Sequence, residues 1–183
     1  MAKHATVPVI NGLSDFSHPC QALGDVYTIK EKLKELKGIT LAYVGDGNNV
    51  CNSLLYACVK TGVNMNVATP KGYEPQAKGV KINLFHSPQD AVKDADVIYT
   101  DVWASMGQEK EAAHKKKAFK DFQVNKKLVS LAKKNCLIMH CLPAHRGEEI
   151  TDEVIDSKNS IVFDQAENRM HVQKAILIKL LSA

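Results

Sequence analysis

The sequence has 183 residues, of which 45% are hydrophobic, and its formal net charge is +4. A chain of this length can bury a sizeable core as one domain, or as one domain with an appendage. It has no apolar run long enough to span a membrane and no signal-peptide core, and its lysine run 115–117 has neither interleaved aromatics nor a larger basic excess to indicate nucleic-acid binding. We therefore expect a cytoplasmic protein with neither a membrane nor a nucleic acid as partner.

Segments of helical and strand character alternate along the chain. Apolar periodicity and glycine or proline breaks predict, in order, helix 19–36, strand 39–44, helix 50–60, strands 63–68 and 80–85, helix 88–93, strand 97–100, helices 109–117 and 125–133, strand 136–140, helix 151–155, strand 160–163 and helix 166–181. Apolar strands that alternate with helices indicate an α/β fold, in which a mainly parallel sheet has helices on both faces.

Two polar segments occur where a helix begins. Ser17-His18-Pro19-Cys20-Gln21 opens the first helix, and a helix amino end suits a phosphate group. The alternative is an ordinary helix start with proline in the first turn. Gly45-Asp46-Gly47-Asn48-Asn49-Val50 is similar to a dinucleotide-binding turn, but Val50 replaces the third glycine and no acidic residue ends the second strand. We expect no nicotinamide cofactor, and the asparagines are better suited to a small polar ligand.

Polar residues also follow two predicted strands. Asp101 ends strand 97–100 and can pair with an ammonium group, and Ser105 with the backbone after it can bind a carboxylate. A ligand that carries both charges is an amino acid. The stretch from His140 to Glu149 follows another strand and gathers a thiol, two imidazoles, a guanidinium and two carboxylates. This composition favours a reaction site over a loop with a buried cysteine and solvated charges.

The charged residues and cysteines narrow the chemistry further. Only Arg146 and Arg169 are arginines among 24 basic residues, so these two are candidates to grip an anion, unless they are chance members of a lysine-rich surface. The run 115–117 is predicted to be a solvated lysine face. The five cysteines include no Cys-x-x-Cys pair, which argues against a disulfide framework and against a metal site.

Taken together, these segments resemble the ornithine carbamoyltransferases along essentially the whole chain. The resemblance is carried, in the family's order and approximate spacing, by His18-Pro19-Cys20-Gln21, Asp101 with Ser105-Met106-Gly107, His140-Cys141-Leu142-Pro143 and Glu167-Asn168-Arg169. The aspartate carbamoyltransferases have His-Pro-Leu-Pro where this chain has His-Cys-Leu-Pro, so the pattern points to ornithine.

The resemblance implies a three-layer Rossmann-like domain that transfers a carbamoyl group from carbamoyl phosphate to L-ornithine in arginine biosynthesis, without a cofactor. It implies ornithine contacts from Asn49, Asp101, Ser105 and Met106. It implies carbamoyl phosphate contacts from the following residues: His18, Pro19, Cys20, Gln21, Cys141, Leu142 and Arg169. Asp101 and Cys141 would orient the attacking amine, and His18 and Arg169 would stabilise charge that develops on carbonyl and phosphate oxygens.

Two departures from the family pattern affect the predicted domain organisation. The family's amino-terminal domain carries a Ser-Thr-Arg-Thr-Arg motif, which these 183 residues lack, and the connection 72–80 is shorter than usual. We therefore expect a linking segment and helix at 1–36, an ornithine-binding domain at 37–165 and a closing helix at 166–183 that would pack on an amino-terminal domain. Such a chain would be inactive alone.

Three further expectations remain open at this stage. The chain is expected to form a homo-oligomer, trimer-based in the intact family, because its last helix is apolar in nearly every direction. A stand-alone domain that binds an amino acid without catalysis is an alternative. Carbamoyl transfer to putrescine is a second alternative, disfavoured because Ser105-Met106-Gly107 matches the pattern that holds an α-amino acid.

Overall fold

The computed structural model describes residues 2–104 and 112–182. In these residues a five-stranded parallel sheet has the order β3-β2-β1-β4-β5. The strands are β1 (Thr40–Val44), β2 (Asn64–Ala68), β3 (Asn83–Phe85), β4 (Val97–Thr100) and β5 (Leu137–His140). The predicted α/β fold with a parallel sheet is confirmed.

Helices cover both faces of this sheet. They are α1 (Pro19–Leu33), α2 (Asn49–Thr61), α3 (Pro88–Val92), α4 (Ala112–Phe119), α5 (Lys126–Val129), α6 (Asp152–Ile155) and α7 (Val162–Leu181). Alternate residues of β1 serve the two faces, as the pleat of a strand requires. Leu41 and Tyr43 join a core with residues of α1 and α2, whereas Ala42 and Val44 join a second core with residues of α3 to α6.

The predicted strand 160–163 is wrong. Ser160 forms only an isolated parallel bridge to Ile138, whose backbone accepts from Ile161 N at 3.0 Å. At Ile161 the backbone turns to φ −120°, ψ 23°, and helix α7 begins at the next residue. The apolar side chains of Ile161 and Val162 are buried because they enter the core at the start of a helix. A short apolar run does not distinguish these two structures.

Other predicted boundaries shift by a few residues. Helix α1 ends at Leu33 and not at 36, because Lys34 adopts φ +70° and its N–H bonds back to Lys30 O at 2.9 Å. Strand β3 is limited to three residues. Helix α4 is described from Ala112, so the first part of the predicted helix 109–117 lies outside the described residues.

The turn after β1 is fixed by its own side chains. Asn48 caps helix α2, and its side-chain oxygen accepts from Val50 N at 3.0 Å and Cys51 N at 3.1 Å. Such a cap satisfies backbone donors that the helix leaves unpaired. The helix ends at Gly62, which adopts φ +78°. Glycine takes this left-handed conformation without steric cost.

The connection between β2 and β3 lies against this turn and against α2. Gly47 N donates to Tyr73 O at 2.9 Å, and Asn52 Oδ1 accepts from Gln76 N at 2.8 Å. A Cβ added at Gly47 would overlap the backbone of residues 73–75. The short connection that the sequence analysis noted therefore packs as an irregular segment whose position depends on a glycine.

Helix α7 leaves apolar side chains on the surface. Phe163, Ile178 and Leu181 are 74%, 66% and 76% exposed. The predicted exposure of part of the closing helix is thus present, and the self-association inferred from it stays a prediction. Among the helices of the described residues, α7 included, none combines the length and apolar character that crossing a membrane requires.

We expect Gly47→Ala to lower the free energy of unfolding by about 1–3 kcal/mol, because the new methyl group displaces the backbone of residues 73–75. Urea unfolding followed by circular dichroism measures this change. Gly12→Ala is the matched control, since a Cβ there meets nothing within 4 Å. Equal stability of the two variants would contradict the close approach at Gly47.

Candidate functional site

Three neighbouring strands end side by side at one edge of the sheet. Val44 of β1 pairs with Thr100 of β4, and Thr100 pairs with His140 of β5. The residues that follow each strand therefore meet, as parallel strands with right-handed crossovers require, and this edge is where open α/β sheets bind ligands. Asp101 and Cys141 come directly after β4 and β5, which brings the two predicted residues together.

Asp101 is the centre of this edge. Its carboxylate is buried, and it accepts from Asn48 Nδ2 at 2.7 Å, from Cys141 Sγ at 2.9 Å and from Val102 N at 2.8 Å. A buried carboxylate with several donors is held in one orientation. Asp101 is therefore a fixed acceptor at the mouth of the sheet.

The thiol of Cys141 keeps its proton in this environment. Burial raises the pKa of Cys141 well above its usual range, and the negative charge of Asp101 raises it further. A thiolate is the nucleophilic form of cysteine, so a raised pKa disfavours nucleophilic attack by Cys141. The geometry instead makes the thiol a hydrogen-bond donor to Asp101.

His140 is held from both of its ring nitrogens. Its Nδ1 accepts from Leu142 N at 2.9 Å, so Nε2 carries the proton and faces Glu149 Oε1 at 3.0 Å. The same Glu149 oxygen accepts from His145 N at 2.6 Å. Since His140 and Glu149 are fully buried, this chain of bonds fixes the loop that carries Cys141 and Leu142.

Asp101, His140 and Cys141 place their ligand-type atoms within 4.8 Å of one another. Such spacing is typical of metal ligands. The hydrogen bonds of His140, however, use both ring nitrogens within the chain. In this arrangement His140 has no lone pair to give to an ion, so the geometry does not support a metal role for the cluster.

The predicted anion-binding residues lie on α1 and α7. Gln21 Oε1 accepts from Arg169 Nη1, which joins the start of α1 to the middle of α7. His18 N donates to Ser53 Oγ at 2.7 Å. A cleft of about 510 Å³ adjoins these groups, and its lining includes His18, Cys20 and Arg169. The structure thus brings three residues predicted to contact carbamoyl phosphate to one cavity.

His18 is placed as a neutral imidazole in this cleft. Partial burial lowers the pKa of His18, and the positive charge of Arg169 lowers it further. Its Nδ1 is buried and has no hydrogen-bond partner among the described residues. A neutral imidazole with an unused nitrogen can serve a ligand as donor or acceptor, depending on the tautomer.

A buried carboxyl group, Asp25 of α1, connects the residues of α1 and α7 to the ends of strands β4 and β5. Its Oδ1 accepts from Gln21 Nε2 at 2.8 Å and from Gln165 Nε2 at 2.7 Å, and its Oδ2 accepts from Tyr99 OH at 3.1 Å. Gln165 Oε1 in turn accepts from His140 N at 3.0 Å. Burial raises the pKa of Asp25 from 3.8 to about 7, against the opposing effect of its hydrogen bonds.

The remaining predicted ligand residues have varied positions. Asn49 donates to Ser14 O at 2.8 Å, while its neighbour Asn48 is the asparagine bonded to Asp101. Pro19 forms the first turn of α1. Leu142 follows Cys141 with φ +53°. The predicted ornithine ligands Ser105 and Met106 lie outside the described residues.

Sequence reasoning missed Asn48, Asp25 and Gln165. A signal existed for Asp25, because it lies four residues after Gln21, so the two side chains share one face of the helix. Asn48 was visible as a candidate helix cap after a glycine turn. Nothing local indicates Gln165, whose partner Asp25 is 140 positions away.

Two predictions about basic residues are wrong. Arg146 was a candidate to grip an anionic ligand, but its guanidinium binds Asp152 at 2.8 Å and Asp156 at 2.5 Å within the chain. The run 115–117 was placed on a solvated face, and Lys116 and Lys117 are exposed, but Lys115 is buried and its Nζ lies 2.5 Å from Asp46 Oδ2. The turn of α4 that brings Phe119 into the core also brings Lys115 inward, because residues i and i+4 share a helix face.

Comparisons with known proteins agree with this geometry. A family model described as "Aspartate/ornithine carbamoyltransferase, Asp/Orn binding domain" matches residues 37–180. A second model, described as the "carbamoyl-P binding domain" of the same enzymes, matches residues 1–31. The chain is 61% identical over 193 aligned residues to a curated protein named ornithine carbamoyltransferase from Pyrococcus horikoshii.

That alignment covers 99% of this chain and 61% of the relative. The relative from Pyrococcus furiosus, named an anabolic ornithine carbamoyltransferase, is 62% identical, with 97% of this chain and 60% of the relative covered. The solved structure of ornithine carbamoyltransferase from Thermus thermophilus gives a TM-score of 0.91 at 47% identity, over 98% of this chain and 61% of that one. The chain spans about three-fifths of the length of these relatives.

Asp25→Asn should change how stability depends on pH. Since the folded pKa of Asp25 is about 7 and the ordinary value is 3.8, the folded state binds the extra proton, and stability falls as pH rises between these values. This loss is roughly 1.4 kcal/mol per pH unit in that window. The variant lacks the titrating group, so its stability should gain on that of the wild type from pH 4 to pH 7.

Urea unfolding of both proteins across this range measures the difference. Asp46, whose pKa burial also raises, is common to both proteins and cancels in the comparison. A stability difference that stays constant from pH 4 to pH 8 would show that Asp25 titrates outside this window.

Proposed function

Because the chain belongs to the aspartate/ornithine carbamoyltransferase family, we propose that it takes part in carbamoyl transfer from carbamoyl phosphate to the side-chain amine of L-ornithine, which yields L-citrulline and phosphate. The observation that carries this proposal is the pair formed by Asp101 and Cys141, whose side chains lie 2.9 Å apart at the carboxyl edge of the sheet. A carboxylate and a protonated thiol at one point suit an amino group, which both donates and accepts hydrogen bonds.

The proposed reaction is a direct transfer between two substrates bound side by side. The neutral amine of ornithine attacks the carbonyl carbon of carbamoyl phosphate, the new N–C bond forms, and the bond from that carbon to the phosphate oxygen breaks. Phosphate leaves with the bonding electron pair, and the proton that the amine gives up passes to the departing phosphate. Asp101 and Cys141 would orient the amine, which supplies the proximity that such a reaction needs.

The residues on α1 and α7 would bind the other substrate. Arg169 offers the fixed fork that suits phosphate and carbonyl oxygens, and His18 adds a neutral donor in the same cleft. Gln21, Cys20 and Pro19 would complete this side at the helix start. Charge that develops on the oxygens in the transition state would be stabilised by donors already in place.

The acceptor substrate is proposed to be an α-amino acid. Ser105 and Met106 would hold its α-amino acid end, as the resemblance implies, and Asn49 and Asp101 would add further contacts to ornithine. The relatives named ornithine carbamoyltransferase, at 61% and 62% identity, support ornithine over aspartate. The His140-Cys141-Leu142-Pro143 stretch supports the same choice.

The division of labour along the chain is also a proposal. Residues 37–165 would bind ornithine, 1–36 would link to a carbamoyl-phosphate-binding domain, and 166–183 would pack on that domain. Helix α7 offers exposed Phe163, Ile178 and Leu181 for such packing. Since these 183 residues span about three-fifths of each relative, turnover would require the remaining part.

We expect the 183-residue chain to form little citrulline alone, and to form it after mixing with the carbamoyl-phosphate-binding domain of the Pyrococcus furiosus relative. Each charge-assisted contact contributes about 1.5–3 kcal/mol, so the contacts that a second domain adds decide phosphate affinity. Colorimetric citrulline measurement tests this. The domain alone and a mixture with Asp101→Asn are the controls, and full turnover by the isolated chain would contradict the division of labour.

Ornithine should bind the isolated chain weakly, with a Kd near the millimolar range, or about −4 kcal/mol. Asp101→Ala and the milder Asp101→Asn should abolish this binding, because they remove the partner of the ammonium group. Asp121→Ala, which alters an exposed carboxylate in the turn 120–122, should leave it unchanged. Chemical-shift titration with ornithine, and with putrescine as the analogue that lacks the carboxylate, measures these affinities. Equal affinity of wild type and Asp101→Asn would refute the assignment.

A further inference from the structure

The contacts of Asp25 leave no freedom in the amide groups around it. The Oδ1 atom of Asp25 accepts from both Gln21 Nε2 and Gln165 Nε2, so both glutamines turn their NH₂ groups toward it. Their oxygens then face away, toward groups that only donate. Gln165 Oε1 meets His140 N at 3.0 Å, and Gln21 Oε1 meets the guanidinium of Arg169. The orientation of each amide is thus dictated from both ends.

Asp25 itself lies in a place where such a residue is costly. It is fully buried in the middle of α1, and the α1–α7 interface around it is polar, with Thr28 and Asn168 bonded at 3.1 Å one turn further along. A buried carboxyl group is retained at a cost in desolvation. Tyr99, whose OH donates to Asp25, also accepts from Gln165 Nε2 at 3.1 Å, so β4 joins the same network.

We propose that Asp25 is a positioning residue that fixes the buried Gln21 amide with its oxygen toward Arg169, which lines the proposed carbamoyl-phosphate cleft, and thereby selects a carbamoyl group over an acyl group. This inference rests on the proposed function. The Gln21 oxygen has two lone pairs, and Arg169 uses one of them. The second can accept an N–H of the carbamoyl NH₂, which an acetyl group replaces with a methyl that cannot donate.

The position of Asp25 explains why a glutamine alone does not suffice. An amide held by Arg169 alone can rotate by 180° more readily than one held from both ends, and it then presents NH₂ in place of oxygen, which would repel the carbamoyl N–H. Asp25 lies four residues from Gln21, so its oxygen reaches the Gln21 NH₂ along the helix face and prevents this rotation. Selection between NH₂ and CH₃ then depends on a carboxylate that never touches the substrate.

The test compares carbamoyl phosphate with acetyl phosphate in the two-domain mixture described above. Asp25→Ala should raise the KM for carbamoyl phosphate about 10-fold while the Ki of acetyl phosphate as a competitor changes less than about twofold. Asp25→Asn keeps one acceptor oxygen at the same position and should restore the KM to within about threefold of the wild type. An equal loss for both ligands, or no rescue by asparagine, would overturn the proposal.

Thr28→Val is the matched control for a merely structural effect. Thr28 is fully buried in the same interface and accepts from Asn168 Nδ2, but it lies seven residues from Gln21, about 10 Å along the helix. This variant should leave both constants unchanged. If Thr28→Val raises the KM as Asp25→Ala does, interface packing and not amide orientation is responsible.

Two further measurements keep the outcome decisive. If Asp25→Ala does not fold, the double variant Asp25→Leu with Tyr99→Phe replaces it, because it also removes the Tyr99 hydroxyl that would lose its acceptor. Its KM for carbamoyl phosphate and its Ki for acetyl phosphate are then compared with those of Tyr99→Phe alone. If the wild-type mixture forms no citrulline, the proposed function fails, and side-chain amide NMR of the isolated chain still decides the role of Asp25. The Gln21 NH₂ protons should exchange slowly in wild type, Asp25→Asn and Thr28→Val. Slow exchange in Asp25→Ala as well would overturn the positioning role.

Discussion

The pairing of Val44, Thr100 and His140 across three parallel strands determines where Asn48, Asp101 and Cys141 meet. Parallel strands in register end at one edge, so any residue that follows one of them becomes a neighbour of residues far away in the sequence. Asp101 and Cys141 are 40 positions apart and meet only because β4 and β5 end together. The turn after β1 then adds Asn48 to the same point.

Buried hydrogen bonds hold this edge of the sheet in place. His140 is tied to Glu149 and to the backbone of Leu142, and its own N–H reaches Gln165 on α7. The seam between α1 and α7 is polar, which makes it an expensive way to pack two helices. The hydrogen bonds in this interface are directional, so they fix the angles between the groups they join, whereas apolar contacts fix only distances.

The sequence predicted the sheet, and it predicted Asp101 and Cys141 at strand ends, because both follow directly from local apolar runs and their last residues. The strand at 160–163 failed since a buried helix start has the same apolar composition as a short strand. Lys115 failed for a different reason: its charge suggested solvent, but Asp46, on a turn 69 residues earlier, stabilises that charge in the interior.

Asp25 and Gln165 were missed because long-range polar pairs leave no periodic signal. The partners of a buried carboxyl group are set by tertiary packing, and here they come from α1, β4 and α7. The expected role of Met106, by contrast, came from the family motif alone.

The internal engagement of Arg146 has a consequence for which substitutions the chain can tolerate. With Arg146 committed to Asp152 and Asp156, Arg169 is the one arginine left to meet a ligand, while the other 22 basic residues are lysines. Arg169 sends one nitrogen to Gln21, and with the Gln173 amide oxygen turned toward it, two others lie 2.8 Å and 3.0 Å from that oxygen. An ammonium is a point charge that cannot span both amides. Lysine can replace arginine at most surface positions of a protein. At position 169 it would preserve the positive charge but lose the planar group that bonds both amides, so no other amino acid is equivalent to Arg169 here.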